Sequence, residues 1–328
     1  MRVLVAGLGT MGCSHARAYR DSPDFEIAGV VTRNRSSVPA EFSALPHWMN
    51  FDDALASTKP DLVSISTYSE THAAFAIKAM EAGAHVFVEK PLATNVADAE
   101  RVVETASRLG KKLLVGYILR YHPLWQQLIV KARDFGGPHV FRIALNQQSQ
   151  GAGWAVHKAL METISPLVDC GVHYLDAMCQ ITDAKPIEVR GIGARLTNEI
   201  APDMNNYGQL QVLFEDGSVG WFETGWGPMI SRLGETIKDV VTPQGSVSIV
   251  DSGNGDELHI HHLSGEDEIL PGQLHLDRDA LCVRQQAYMH RAISENLDLA
   301  RHMQDAVASL HICLAADESI RIGSPVKL

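Results

Sequence analysis

No stretch of this sequence approaches the ~18 consecutive apolar residues that a bilayer-crossing helix needs. The apolar run in the opening MRVLVAGLG is about five residues, too short for the core of a secretory leader. Membrane insertion and export are therefore not expected. Basic blocks are missing as well: 28 Lys and Arg stand against 39 Asp and Glu, a formal charge of −11, and nothing here would lay a phosphate-binding stripe. Nucleic acid is not an expected partner. Cys13, Cys170, Cys179, Cys282 and Cys313 are odd in number and widely spread, with no C-x-x-C. That pattern supports neither a disulfide framework nor a zinc ribbon, and a reducing cytoplasm is the expected compartment. Repeats and low-complexity linkers are also absent, so any domain boundary must show as a change of pattern.

What is present is an ordinary globular composition, 45% hydrophobic and 20% charged over 328 residues, enough chain for two domains. Up to residue 118, short apolar runs (3–6, 26–31, 61–66, 85–89, 112–116) alternate with helical stretches (10–20, 71–82, 95–109). This is the rhythm of a parallel sheet wound with helices. Ser69 and Thr94 stand as N-caps, and Gly83 and Gly110 where a helix ends in a left-handed residue. From residue 119 the pattern changes. A helix opens at Pro123, another covers 166–181, and a late helical region covers 279–318. Alternating strand patterns occupy 140–148, 187–196, 207–226, 246–250 and 257–263, with a hairpin turn at Glu215–Ser218. The expected fold class is α/β: a doubly wound, dinucleotide-binding domain at 1–118, then an α+β domain at 119–328 whose sheet is mostly antiparallel.

Gly7-Leu8-Gly9-Thr10-Met11-Gly12 directly follows the first strand and opens the first helix. In that context the glycines permit a tight turn, close approach to a pyrophosphate and close helix–sheet contact, with the phosphates at the helix's positive end. An acid that would hold the ribose hydroxyls of NAD is missing after the second strand. Thr32-Arg33-Asn34-Arg35 stands there instead, which favours NADP over NAD; two solvated arginines are the other reading. Thr67 ends the third strand and His72 opens the next helix, so both are placed on the same cofactor edge, with loop and capping roles as the alternative.

Glu89-Lys90-Pro91 closes a buried strand at the sheet edge where ligands collect. Glu89 and Lys90 thus join the cofactor-binding set, with Lys90 directed to the nicotinamide end. Further on, Ser165 caps a helix that starts at Pro166, and Asp169, His173 and Asp176 fall at i, i+4 and i+7 on one stripe. Val168, Val172, Leu175 and Cys179 form the inward stripe beside it. One imidazole and two carboxylates so arranged make either a solvent face or the wall of a site. Asp169, Cys170 and His173 do not make a metal site, because Cys170 faces another side and no second ligand cluster exists. The histidines of HIHH at 259–262 read as structural or solvated.

Taken together, GLGTMG, EKP at 89–91, GYILRYHP at 116–123 and DCGVHYLD at 169–176 resemble the glucose-fructose oxidoreductase and myo-inositol dehydrogenase family over essentially the whole chain. The resemblance implies a Rossmann domain followed by an α/β domain with a large, open, mostly antiparallel sheet that forms the face of a homodimer or homotetramer. It implies that Lys90 and His173 border the substrate near the nicotinamide, that Asp169 assists, and that Asp176 touches substrate hydroxyls. Oxidising a secondary alcohol needs a base and a positive group near the developing alkoxide, for which His173 and Lys90 are the candidates; either can be argued to move the proton. Trp154, in what reads as a loop at 151–154, is placed to lay its indole on a sugar ring or to pack on the domain junction. The expected activity is hydride transfer between NAD(P) and a sugar, cyclitol or sugar derivative. Reduction of a C=C or C=N bond, or a non-catalytic dinucleotide sensor, are the rival readings.

Overall fold

The computed structural model describes residues 1–231, 236–253, 255–272 and 276–328. It divides into two compact units, Met1–Tyr121 with Leu276–Val307, and His122–His275 with Ala308–Leu328.

The first unit begins with β1 (Arg2–Ala6), α1 (Thr10–Arg20), β2 (Glu26–Val31), β3 (His47–Trp48) and α2 (Phe51–Thr58). It continues with β4 (Leu62–Ile65), α3 (Ser69–Glu81), β5 (His85–Val88), α4 (Val96–Leu109) and β6 (Leu113–Val115). The strands pair in the order β3-β2-β1-β4-β5-β6, every pair parallel. Helices cover both faces of such a sheet, so its strands read as unbroken apolar runs. Val3 through Ala6 and Val86 through Val88 are wholly buried, at roughly 1.5–3 kcal/mol for each large side chain. The order reverses between β1 and β4, which opens a crevice at the strands' carboxyl ends where ligands of this fold bind.

Two expected caps shift by one residue. Asn95, not Thr94, caps α4, its Oδ1 accepting from the Asp98 amide at 2.8 Å; an Asn one residue closer to the helix takes the position from the weaker Thr. Ser69 already lies inside α3, whose N-cap Tyr68 makes no side-chain capping bond. β3 and α2 were not expected. Asn50 caps α2 by accepting from the amides of Asp52 and Asp53 at 2.8 and 3.1 Å, a local signal with only eight residues of helix behind it.

The second unit contains α5 (Pro123–Phe135), β7 (Val140–Gln148), α6 (Gly151–Leu160), α7 (Pro166–Thr182), β8 (Pro186–Ala194), β9 (Tyr207–Phe214) and β10 (Val219–Gly227). Then come β11 (Lys238–Thr242), β12 (Gly245–Asp251), β13 (Asp256–His262) and β14 (Glu268–Pro271). α8 (Arg278–Ser294) returns to the first unit. α9 (Ala300–Ile322) counts with the first unit through Val307 and with the second from Ala308, before β15 (Val326–Lys327) ends the chain. The nine strands run β14-β13-β12-β11-β7-β10-β9-β8-β15. All pair antiparallel except β7 with β10. α5 and α7 pack on one face. On strand positions that alternate away from them, Val140 pairs with Val219, and Val219 with Leu213, all three exposed. Among the described residues no helix is long and apolar enough to cross a membrane.

Candidate active site

The glycine loop is built for an anion. Gly7 has φ of +91°, and a Cβ there would lie 2.3 Å from the Ser66 carbonyl oxygen; one on Gly12 would lie 2.1 Å from the Gly7 oxygen. These two glycines bring α1 against the ends of β1 and β4. Gly9 differs, because a Cβ there would meet nothing within 4 Å. Gly9 is also the N-cap of α1, with no side-chain capping bond and no acid in the first turn. The first amides of α1, at Thr10 and Met11, are thus left without a capping side chain, at the helix end whose dipole favours negative charge. A dinucleotide pyrophosphate fits this cradle.

At the far end of that crevice the chain leaves β2 through Thr32, Arg33 and Asn34. Asn34 Oδ1 accepts from the Ser36 amide at 2.9 Å, and Thr32 Oγ1 donates to the Asn34 carbonyl at 3.0 Å and lies 2.8 Å from His47 Nε2. The Arg33 guanidinium rests 4.9 Å from the centroid of the Tyr68 ring, an exposed cation–π contact worth about 0.5–1 kcal/mol. Thr32 directly follows β2, and the cation on its aromatic plate comes one residue later. Thr67 Oγ1 shares a hydrogen bond with Thr71 Oγ1 at 2.6 Å.

His72 does not face this edge. It is buried, with Nδ1 2.7 Å from the Pro91 carbonyl oxygen and Nε2 3.1 Å from that of Thr67. Burial pushes its pKa down, so a neutral ring has one N–H to give, and the shorter contact marks Pro91 as its acceptor. The side chain tethers backbone instead of lining the crevice. Glu89 is likewise buried, its carboxylate directed at His15 and not at the glycine loop. Lys90, two residues past the end of β5, is half-buried, with a cis peptide bond to Pro91.

In the second unit Ser165 caps α7 as its sequence demands, its Oγ accepting from the Val168 amide at 3.2 Å and donating to Asp317 Oδ2 at 2.7 Å. Burial pushes the Asp317 carboxyl up to about 6, against the lowering effect of that serine. The polar stripe of α7 is graded. Asp169, in the first turn where the helix dipole favours a carboxylate, and His173 are half-buried, whereas Asp176 is 1% exposed and accepts from Gln180 Nε2 at 3.0 Å. Against the expectation that Asp176 meets substrate hydroxyls, its side chain is buried, with Gln180 on one carboxylate oxygen. Cys170 faces Gln147, 3.5 Å from Oε1, and among the described residues no three His, Cys, Asp or Glu form a metal-binding group.

Residues 151–154 are the first turn of α6, not a loop. Trp154 turns inward at 6% exposure, and its Nε1–H donates to Glu199 Oε2 at 3.2 Å, which takes the indole away from any sugar face. The same helix brings in a residue that sequence reasoning missed. His157 stacks on Trp226 with centroids 4.2 Å apart, its Nδ1 3.0 Å from Ser149 Oγ. Burial pushes the His157 pKa down while the Asp169 charge pulls it up, so a second imidazole shares the field of Asp169. Reading 151–154 as a loop hid the helical spacing that would have found it.

The glycine loop, the open crevice and the lysine at its rim define an NAD-binding oxidoreductase scaffold, and comparison with known proteins names the family. Residues 1–117 match the model of the GFO/IDH/MocA oxidoreductase family with NAD-binding Rossmann fold, and residues 127–232 match the GFO/IDH/MocA C-terminal domain. The chain belongs to this family. It is similar to scyllo-inositol 2-dehydrogenase (NAD(+)) of Bacillus subtilis (strain 168), 26% identical over 100% of this chain and 96% of that protein. It is also similar to UDP-N-acetylglucosamine 3-dehydrogenase of Acidithiobacillus ferrooxidans, 32% identical over 61% of this chain and 60% of the relative. A solved structure of the latter enzyme superposes with a TM-score of 0.78 at 25% identity, covering 98% of each chain.

Proposed function

We propose that this chain is a dehydrogenase that moves a hydride between a nicotinamide dinucleotide and a secondary alcohol or ketone of a sugar, cyclitol or sugar derivative. The observation that carries this reading is the pairing, on one sheet edge, of an uncapped helix N-terminus behind Gly9 with Lys90 at the end of β5. The family and the two relatives supply the substrate class. When bound, the nicotinamide takes up or gives back the hydride. The chain's own residues do the rest. The amides behind Gly9 hold the pyrophosphate, and Arg33 on Tyr68 receives the adenosine end, favouring a 2′-phosphate and hence NADP over NAD. Lys90 offsets negative charge on the substrate oxygen, His173 takes the hydroxyl proton, and Asp169, one helical turn earlier, orients that imidazole.

The test is a panel of inositols, hexoses and nucleotide sugars offered with NAD+ and NADP+, followed at the reduced-nicotinamide absorbance. Turnover of at least one polyol is expected; no reduction with any of them overturns the reading. We also propose that two copies of the chain associate through the open face of the nine-stranded sheet, where Val140, Val219 and Leu213 form an apolar row. Light scattering on the Val219→Lys variant should show a smaller particle than the parent; an unchanged mass refutes this assembly.

A further inference from the structure

Under the glycine loop and Lys90 lies a buried polar chain that the fold alone does not require. Tyr19, His15, Gln286 and Glu89 are 0%, 0%, 1% and 6% exposed. The Tyr19 hydroxyl lies 2.7 Å from Gln286 Oε1, Gln286 Nε2 lies 3.0 Å from His15 Nδ1, and His15 Nε2 lies 2.8 Å from Glu89 Oε1. Burial pushes the Tyr19 pKa far up, so its hydroxyl is the donor at the head of the chain. Gln286 then accepts through oxygen and donates through nitrogen. This leaves His15 Nδ1 as acceptor and Nε2–H as donor to Glu89. The other carboxylate oxygen of Glu89 accepts from the Lys90 amide at 3.2 Å.

Space is reserved for that carboxylate. A Cβ on Gly116 would lie 2.9, 3.0 and 3.1 Å from Glu89 Oε1, Cδ and Oε2, so the glycine after β6 is there for the acid's sake. Three separate stretches, GLGTMGCSH, VEKPL and VGY, thus meet on one carboxyl group. On the other flank of Lys90, buried His72 of α3 holds the Pro91 carbonyl at 2.7 Å. A buried charge is costly and a well-packed apolar group of the same shape is often neutral or better for stability. An acid kept here at the root of a lysine therefore serves something other than folding.

We propose that His15, through Glu89, and His72, through Pro91, clamp the backbone on both sides of Lys90, making His15 and Glu89 positioning residues for the amine that meets the substrate. This rests on the dehydrogenase reading above. His15→Leu removes the donor to Glu89, and Gly116→Ala displaces the carboxylate without touching His15. In the full-length protein, each should lower kcat by about tenfold or more, the scale of a small misplacement of a reacting group. NADH and NADPH affinity, read by fluorescence titration, should stay within about twofold, since the glycine loop is left intact. His15→Gln, whose amide nitrogen reaches about as far as Nε2, should recover kcat to within about threefold of the parent. Should the leucine variant fail to fold, Gly116→Ala decides. Parent-like kcat in a folded variant overturns the proposal, as does an equal fall in nucleotide affinity, which would mean that the chain merely props α1. Absence of any parental turnover fells the functional reading instead, and this one with it.

Discussion

The crevice of the parallel sheet and the polar stripe of α7 offer a ligand different material. The crevice offers backbone: amides behind Gly9, shaped by two glycines that have no room for a Cβ. α7 offers side chains instead, Asp169 and His173, and His157 of α6 shares the field of Asp169. Backbone recognition is tied to a contiguous motif and tolerates little. Side-chain recognition depends on residues scattered through the sequence and can be altered one group at a time.

The sharpest way to break this contrast is Lys90→Ala, which removes a side chain and leaves the backbone cradle whole. kcat should fall about 10²-fold or more without abolishing dinucleotide binding; near-parental turnover would take Lys90 out of the chemistry. Next comes a comparison inside the cradle. Gly12→Ala forces a Cβ onto the Gly7 oxygen and should cost both melting temperature and dinucleotide binding. Gly9→Ala has open space around it, so its melting temperature should match the parent while dinucleotide affinity drops by roughly tenfold, the direct sign of a phosphate passing that Cα. Equal affinity in Gly9→Ala would put the pyrophosphate elsewhere. Arg33→Asp should reduce NADP affinity by about tenfold and spare NAD, consistent with loss of one charge-assisted contact; unchanged NADP affinity would defeat the assignment.

The smallest effect expected is on stability. The Asp317 carboxyl titrates at about 6 in the folded chain against an ordinary 3.8. A raised folded pKa means the favourable contribution is complete below about pH 4 and is lost as pH rises through about 6. Asp317→Asn should therefore leave stability unchanged in acid and raise it above pH 6, by at most about 3 kcal/mol and less where water reaches the carboxyl. Urea melts at pH 4 and pH 8 check this; a variant equally destabilised at both would show that the bond to Ser165 outweighs the buried charge.

Much of the fold was legible because apolar runs and helix caps are local. β2, β7 and the hairpin of β9 and β10 lie where alternation and turn residues put them, and α7 begins at Pro166 as Ser165 signals. β3, α2, β11 and β14 are short or sit beside stronger patterns, and apart from the Asn50 cap of α2 nothing local announces them. The candidate groups were legible where chemistry is written into spacing, as in Gly7 to Gly12 or Asp169 to His173. His72, Glu89 and Trp154 were assigned by position along an element, but a backbone position does not tell which way a side chain turns. Burial and a waiting partner drew each of them inward: the Pro91 carbonyl for His72, the His15 imidazole for Glu89 and the Glu199 carboxylate for Trp154. Gln286 is separated from His15 by 271 positions, and no periodicity connects the two.

The late return of Leu276–Val307 to the first unit bears on how this protein can be made and dissected. Met289, Ala292 and Leu299 fill the same core as Val3, Tyr19 and Phe87, so a fragment cut at Tyr121 would lack part of its own interior. During synthesis the nucleotide-binding unit stays unfinished long after Tyr121 has emerged, until Val307 follows. Attempts to express it alone should graft the terminal helices back on by a short artificial connection.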